Sequence, residues 1–260
     1  MNEQAWQEVL KEAKRLSLPA ENKRAILREF LQTKILGYFY EQKGAEKLHF
    51  MGGTALRIVY GAPRFSEDLD FDNFSLKTND LKKIINQVSE KLEKEGILNS
   101  VSWKGAGKRA AFSFEKILFS LKISGHKFEK LKINFDHNKK KGKFPYQVFF
   151  LSRLGVNQRI VVNTPEVILA EKIKALFGRK RVIPRDVFDI AWLLSKNFLP
   201  DRGVLKSFGL KQDEDLVRKL VKRAGQIKKN QLAKELVPFL FVKKDLKLLD
   251  FFPDLVKKLR

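Results

Sequence analysis

The stretch HFMGGTALRIVYGAPRFSEDLDFD, residues 49–72, decides the fold. Its apolar start predicts a short strand that stops at Gly52 and Gly53, and the residues after the two glycines predict a helix. A turn over residues 63–66 then leads into a second strand, DLDFD at residues 68–72. Two glycines let the backbone turn tightly and approach a ligand closely, because they carry no Cβ atom. This order of elements predicts an α/β fold.

Three aspartates in the second strand predict a metal site. Successive side chains of a strand point to opposite faces, so Leu69 and Phe71 would enter a core while Asp68, Asp70 and Asp72 share the other face. Neighbouring carboxylates on a rigid face repel one another unless a cation neutralises them. Carboxylates combined with the phosphates of a nucleotide suit Mg²⁺. The sequence therefore predicts a magnesium site that serves a nucleotide.

The residues of this region bear on other interpretations as well. A calcium loop would need glycine at the sixth position and glutamate at the twelfth, which hold Asn73 and Asn79. A solvated acidic strand edge would need no ligand and stays open when the run is considered by itself. The two glycines do not begin a Walker A loop, since no Gly-Lys-Ser/Thr follows, and they could form a simple turn. Thr54 could cap the next helix, whose first N–H groups favour a phosphate.

Composition favours a soluble protein with a polyanionic partner. The 260 residues include 53 Lys and Arg against 30 Asp and Glu, a net charge of +23. Such a surplus favours nucleic acid, although a solvated basic surface without a partner is the alternative. The absence of cysteine excludes disulfides, thiolate zinc sites and a cysteine nucleophile. No signal peptide and no membrane-spanning window are found, so we expect a cytoplasmic protein without membrane contact.

The periodicity along the rest of the chain completes the expected architecture. Helices are predicted at 2–16, about 20–42, 80–95 and repeatedly from 164 onward, and strands at about 99–104, 110–116, 117–124 and 130–138. The predicted fold class is α/β (α+β), with a mixed sheet and N-terminal helices over residues 1–160 and a helical domain over residues 161–260. The boundary is expected near residues 155–164.

Several motifs together carry a family resemblance. The order of strand, Gly-Gly-Thr, helix and Arg-x-Ser-x-Asp-x-Asp resembles the DNA polymerase β-like nucleotidyltransferase superfamily. The string GGTALRIVYGAPRFSEDLDF is more narrowly similar to the AbiEii/AbiGii toxin family, the nucleotidyltransferases of toxin–antitoxin systems. Two later segments, EVILAEKIKALFGRKRV and PRDVFDIAWLL, resemble that family's third and fourth motifs. The resemblance runs from about residue 49 to residue 194.

The resemblance implies an enzyme that transfers a nucleotide from a nucleoside triphosphate to RNA, often the 3′ end of tRNA, and so blocks translation. Asp68 and Asp70 would bind one or two Mg²⁺ ions, with Asp136 as a third ligand. The residues expected to bind the nucleotide are Gly52, Gly53, Thr54, Arg64, Ser66 and Lys172. The residues expected to be catalytic are Asp68, Asp70, Lys172 and Asp186. Arg64 could alternatively brace the motif.

Two of these assignments have plain structural alternatives. Lys172, in a helix predicted over 166–177, could be an ordinary lysine that extends to solvent, whereas the family's lysine motif makes it a triphosphate contact. Asp186 could simply cap its helix, or it could orient Lys172 or the nucleotide, and Asp189 lies three residues on along the same face. For Lys172 and for Asp186, the sequence leaves both interpretations open.

The segment after residue 130 offers a third acid and a basic loop. Asn134 and Asp136 share the polar face of a predicted strand, and Asp136 could be the family's third acid or only a residue of the strand end. If Asn134 occupies that position, the metal would rely on the first two acids. The loop 138–143, flanked by Phe144 and Tyr146, could be solvated or could contact RNA phosphates and a stacked base.

The expected partners are RNA, a nucleoside triphosphate and a cognate antitoxin protein. Two rival functions remain: nucleotidyl transfer to a small molecule such as an antibiotic, and RNA binding without catalysis. The basic surplus disfavours the first rival, because a small acceptor needs no extended positive surface.

Overall fold

The computed structural model, which describes residues 1–105, 107 and 109–260, is an α/β protein. The strands are β1 (Leu48–Met51), β2 (Leu69–Asn73), β3 (Ser100–Lys104), β4 (Arg109–Phe114), β5 (Leu131–Lys139), β6 (Tyr146–Arg153) and β7 (Val156–Asn163). The α-helices are α1 (Glu3–Arg15), α2 (Lys23–Tyr40), α3 (Gly52–Ile58), α4 (Thr78–Lys94), α5 (Ile117–Ser120), α6 (Pro165–Gly178), α7 (Pro184–Ser195), α8 (Arg202–Ser207), α9 (Glu214–Ala224), α10 (Lys229–Glu235) and α11 (Phe252–Leu255). Short 3-10 helices span Ala45–Lys47, Val237–Phe239, Lys243–Leu249 and Val256–Leu259.

The described residues form a seven-stranded sheet in the order β3-β4-β5-β2-β1-β7-β6. Strand β1 is parallel to β7 and β2 is parallel to β5, whereas β1–β2, β3–β4 and β4–β5 are antiparallel. The predicted mixed sheet is therefore confirmed. Met51 lies opposite Asp70 on one side of β2, and Asp136 lies opposite Asp70 on the other. This register brings together the strands that carry the predicted acids.

An aromatic cluster packs the apolar face of the sheet against α2. The rings of Phe71 and Phe135 stack with centroids 4.3 Å apart, and the ring of Phe39 in α2 lies 5.4 Å and 5.1 Å from them. Phe50 of β1 joins the cluster 5.5 Å from Phe71. Each aromatic pair adds about 0.5–1.5 kcal/mol beyond the burial of its area. Because the phenylalanines occupy this face, alternation directs Asp70 to the opposite one.

The chain divides into two compact units. The first comprises Met1–Ala55, Ser66–Gly142 and Gln147–Val162, and it contains the sheet apart from two strand-end residues. The second comprises Leu56–Phe65, Lys143–Tyr146 and Asn163–Arg260, and helices dominate it. The second unit thus also takes in two segments that precede residues 155–164. No helix in the described part of the chain is long and apolar enough to cross a membrane.

The strand predicted over residues 117–124 is wrong. Lys116 has a left-handed backbone (φ +57), which ends β4, and α5 follows. Ile117, Leu118 and Leu121 are buried whereas Phe119 is exposed, which is the spacing of a helical turn and not the alternation of a strand. The apolar run alone does not distinguish the two patterns.

The strands β6 and β7 were not expected from the sequence. They are neighbours in the sheet and are joined by Leu154 and Gly155, whose φ angles are +49 and +72. A two-residue connection with positive φ angles forms a tight hairpin between antiparallel strands. This hairpin extends the sheet beyond β1.

Candidate active site

The bend between β1 and α3 lies directly against Asp70. Gly52 has φ +77, and a Cβ atom placed on it would lie 2.5 Å from Oδ2 of Asp70 and 3.0 Å from its Cβ atom. Such a backbone angle favours glycine, and the contact leaves no room for a side chain. The close approach expected at the diglycine is therefore made to an aspartate of the acidic strand. Gly53 follows as the second, buried residue of α3.

Thr54 ties the helix to the start of the acidic strand. Helix α3 begins at Gly52, so Thr54 is its third residue and not the cap expected from the sequence. The hydroxyl group of Thr54 is buried and donates a hydrogen bond to the backbone carbonyl of Asp68. The geometry assigns Thr54 the positioning of Asp68, while phosphate binding by this residue stays a prediction.

Asp68 and Asp70 point to the same face of the sheet. The amide Nδ2 of Asn134 donates to Oδ1 of Asp68 at 2.7 Å, and Asp70 lies opposite Asp136 in the parallel ladder. Asn134 and Asp136 share a face of β5 because they are two residues apart. Both aspartates are partly exposed. Two carboxylates and an amide therefore meet beside the Gly52 bend.

The third aspartate of the run has a different environment. Asp72 is completely buried, and its Oδ1 lies 3.1 Å from Nζ of Lys140. Lys140 comes from the predicted basic loop, and its side chain is only 15% exposed. Lys140 of the basic loop therefore balances the buried carboxylate of Asp72 within the fold.

Arg109 is a site residue that sequence reasoning missed. It lies opposite Asp136 in the β4–β5 ladder, and its Nε donates to the carboxylate of Asp136. This hydrogen bond raises the pKa of Arg109, and the charges of Asp68 and Asp70 contribute in the same direction. An arginine at the start of a strand carries no local signal of such a role, since only the pairing of β4 with β5 creates the contact.

The donor set suits a hard divalent ion held by two acids. No group of three or more histidine, cysteine, aspartate or glutamate side chains is arranged to hold a metal ion in the part of the chain that the structure describes. Asp136 is engaged with Arg109, and Asn134 is engaged with Asp68. Mg²⁺ is commonly bound by one or two carboxylates plus water and substrate phosphates, so Asp68 and Asp70 fit that requirement. Asp136 as a third ligand stays a prediction.

Ser66, the remaining predicted nucleotide ligand of the first unit, is partly buried two residues before Asp68. Its backbone carbonyl accepts a hydrogen bond of 3.3 Å from Nε2 of Gln32 in α2. This contact holds the chain in place just before the acidic strand.

The second unit contains a buried network of alternating charges. Nε and Nη2 of Arg64 donate to the two carboxylate oxygens of Asp189 at 2.7 and 2.6 Å. Nζ of Lys172 lies 2.8 Å from both Asp186 and Asp189, and Nη1 of Arg179 lies 2.7 Å from Asp186. Three cations thus surround two carboxylates. Arg64 is only 2% exposed, which favours the bracing role over direct nucleotide contact.

The network favours the charged forms of Asp189 and Lys172. Burial by itself would raise the pKa of Asp189, but the charges of Arg64 and Lys172 outweigh it and lower that pKa below its usual value. Burial likewise opposes the charged form of Lys172, but Asp186 and Asp189 outweigh it and raise the pKa of the lysine. Lys172 is therefore a permanent cation, 13% exposed and held by two carboxylates. Asp189, which the sequence placed only on a helix face, links Arg64 to Lys172.

Comparison with known proteins bears out the predicted family. A family model for the nucleotidyl transferase AbiEii toxin of type IV toxin–antitoxin systems matches residues 34–254. The fold is similar to MenT4, a nucleotidyltransferase toxin from Mycobacterium tuberculosis, with a TM-score of 0.58, 17% identity and coverage of 94% of this chain and 89% of that one. It is also similar to a protein from H. pylori named as a nucleotidyltransferase, with a TM-score of 0.55, 19% identity and coverage of 91% and 96%. Another solved structure, JHP933 from Helicobacter pylori, has a TM-score of 0.52, 19% identity and coverage of 91% and 93%. No curated protein matches the sequence.

Proposed function

This chain belongs to the AbiEii toxin family and is a nucleotidyltransferase, and from that premise we propose that it transfers a nucleotide from a nucleoside triphosphate to RNA, with Mg²⁺ as cofactor. The observation that carries the proposal is the pair Asp68 and Asp70 on one face of the sheet, beside the Gly52 bend. Two carboxylates on one face favour the binding of a cation, and a nucleotide brings one with its phosphates.

In the proposed reaction, an RNA hydroxyl oxygen attacks the α-phosphorus of the triphosphate. The bond from that phosphorus to the β-bridging oxygen breaks, and pyrophosphate leaves. Asp68 and Asp70 would hold the Mg²⁺, which when bound stabilises the charge that develops on the phosphate oxygens. Asp136 would accept the proton of the attacking hydroxyl, and its hydrogen bond to Arg109 orients the carboxylate for that role.

The contributions of the other predicted residues follow from their surroundings. Gly52 leaves room for the Asp70 carboxylate, and Thr54 holds the backbone of Asp68. We assign Gly53 and Ser66 to the β- and γ-phosphates, as the family resemblance implies. In the second unit, the bidentate bond to Asp189 makes Arg64 a brace for Lys172, which the resemblance assigns to the triphosphate.

The acceptor and the partners are part of the same proposal. We propose the 3′ end of tRNA as the acceptor, supported by the family and by the net charge of +23. The type IV toxin–antitoxin family also implies a cognate antitoxin protein. RNA and nucleoside triphosphates are cytoplasmic substrates, so we propose a cytoplasmic location.

The test is a labelling experiment with each α-labelled nucleoside triphosphate in turn, Mg²⁺ and total RNA. Label on RNA supports the proposal, label on a small acceptor only supports transfer to a small molecule, and RNA retention without label supports a non-catalytic binder. A chelator should remove the activity.

Asp70→Asn tests the metal site directly. Loss of about 4 kcal/mol of transition-state stabilisation would lower the rate roughly a thousandfold. Asp80→Asn, an exposed residue in the first turn of α4, is the matched control and should label RNA normally. Full activity of Asp70→Asn would refute the assignment of this carboxylate.

A further inference from the structure

The outer strand β6 presents apolar side chains to solvent at one edge of the sheet. Val148 is 62% exposed and Phe150 is 61% exposed, whereas Leu151, which follows Phe150 and points to the other face, is completely buried. Exposed apolar residues on an edge strand invite unwanted pairing and aggregation, so soluble proteins generally avoid them. Neighbouring exposed apolar side chains are typical of surfaces that bind another molecule.

The sheet register places these side chains on the same face as the acidic pair. Phe50 lies opposite both Phe71 and Val162, so Val162 faces the aromatic core and Arg159 faces the other way. Asn157 shares the face of Arg159, and its side chain lies 2.7 Å from Oγ of Ser152 in β6.

The same hydrogen bond defines which residues of β6 point to this face. Ser152, Phe150 and Val148 are two residues apart in turn, and they therefore all point to the side of the sheet that Asp70 occupies. Since Ser152 lies beside Asn157, Phe150 lies beside Arg159 on the neighbouring strand.

The segment that comprises the basic loop and the hairpin has a positive net charge. Residues 137–165 contain six lysines and arginines and not one aspartate or glutamate, although Lys140 pairs with Asp72 and Arg153 pairs with Glu29. Arg159 is exposed on the face of Phe150. A polyanion would find positive charge and no repulsion along this segment, whereas a protein partner would have to be distinctly acidic.

We propose that Val148, Phe150 and Arg159 form a platform that binds a single-stranded segment of the RNA acceptor. This inference rests on the proposed function. A base stacks on the ring of Phe150, Val148 extends the apolar surface, and the guanidinium group of Arg159 contacts a phosphate. Every base has a π face, so the platform accepts RNA without regard to sequence.

The position of the platform is compatible with an acceptor whose end reaches the carboxylates. Three strand spacings separate β6 from β2, about 14 Å, and Phe150 lies about four residues, roughly 13 Å, further along the strands than Asp70. The diagonal between Phe150 and Asp70 is therefore roughly 20 Å.

Of the two aromatic residues that flank the basic loop, Phe144 is buried, so its ring is not available for a stacked base.

Binding of a fluorescein-labelled single-stranded oligouridylate tests the platform. Phe150→Ala should weaken binding about tenfold, the loss of one base–aromatic stack. Phe150→Trp should retain the affinity because it keeps the ring, whereas Phe150→Leu should behave like alanine because it keeps only apolar area. Phe128→Ala is the matched control: Phe128 is 83% exposed outside the hairpin, and its loss should change nothing. Arg159→Ala should lower the slope of log affinity against log salt by about one.

The outcomes separate this inference from the proposed function. Phe150→Ala should raise the KM for RNA about tenfold while leaving the KM for the nucleoside triphosphate unchanged. Wild-type protein that labels RNA, combined with a Phe150→Ala variant of unaltered RNA affinity and KM, would overturn the platform and leave the function standing. Wild-type protein that binds RNA through Phe150 but never labels it would overturn the function and leave the platform standing. Normal RNA binding by Phe150→Ala together with lost binding of a co-produced antitoxin would also overturn the inference, by assigning the surface to a protein.

Discussion

Replacing Gly52 by alanine should disable the enzyme through a single methyl group. The added Cβ atom would lie 2.5 Å from Oδ2 of Asp70, against 3.4 Å for an ordinary contact, so this oxygen must retreat by about 0.9 Å. Rotation of the carboxylate does not relieve the clash, because the Cβ atom of Asp70 lies only 3.0 Å away as well. The whole aspartate must move.

The expected magnitudes differ for stability and for activity. A left-handed backbone costs an alanine about 1–2 kcal/mol, a minor part of a typical unfolding free energy of about 5–15 kcal/mol. The variant should therefore stay folded. Displacement of a catalytic group by about 1 Å can lower a rate roughly a hundredfold. We expect an activity loss near that value and only a modest fall in thermal stability.

The chain offers a closely matched control in Gly61. Its φ angle of +79 is almost that of Gly52 (+77), but nothing lies within 4 Å of a Cβ atom placed on it. Gly61→Ala should therefore show the backbone strain without the displacement of Asp70. Denaturation curves and RNA labelling rates of both variants should be measured together. If Gly52→Ala loses no more activity than Gly61→Ala, the contact with Asp70 has no role in catalysis.

Further predictions concern Thr54, which holds the backbone of Asp68, and Asp189, which binds Arg64 and Lys172. Thr54→Val should destabilise the protein by about 1 kcal/mol and reduce labelling, because the carbonyl of Asp68 loses a buried donor, and Thr54→Ser should restore both in the same assays. Asp189→Asn should lower the unfolding free energy by about 3–5 kcal/mol, since Arg64 and Lys172 lose a shared buried counter-charge. Because the folded pKa of Asp189 is depressed, its contribution is present above the ordinary value of 3.8 and is lost as the pH falls through the folded pKa. The difference in unfolding free energy between the wild type and Asp189→Asn should therefore begin to shrink as the pH falls below about 4 and should vanish only below the folded pKa of Asp189, and a constant difference down to low pH would contradict the charge argument.

The acidic run shows where local pattern stops being informative. Alternation predicted one shared face for the three aspartates, of which Asp70 and Asp72 lie in β2 and Asp68 directly precedes it. The same pattern did not predict that Asp72 would be completely buried against Lys140 while Asp68 and Asp70 stay partly exposed. Burial depends on which elements cover each residue, and that information is not contained in the strand itself.

The partners of the predicted residues came from distant parts of the chain. Asn134 is 66 residues from Asp68, and Asp189 is 125 residues from Arg64. Such pairs depend on strand register and helix packing, which are selected by the burial of the whole core. The strand predicted at 117–124 failed for a related reason, since a short apolar run fits either a helix or a strand until its neighbours are known.

The sequence by itself determined the fold class, the family and the positions of the diglycine bend and the acidic strand, because these features depend on residues that are close together in the chain. Only the tertiary structure decided that Arg109 binds Asp136, that Gly52 lies against Asp70, and that β6 exposes Phe150. Each of these depends on the pairing or packing of separate elements, and a shift of one residue in a strand register would send every such side chain to the other face.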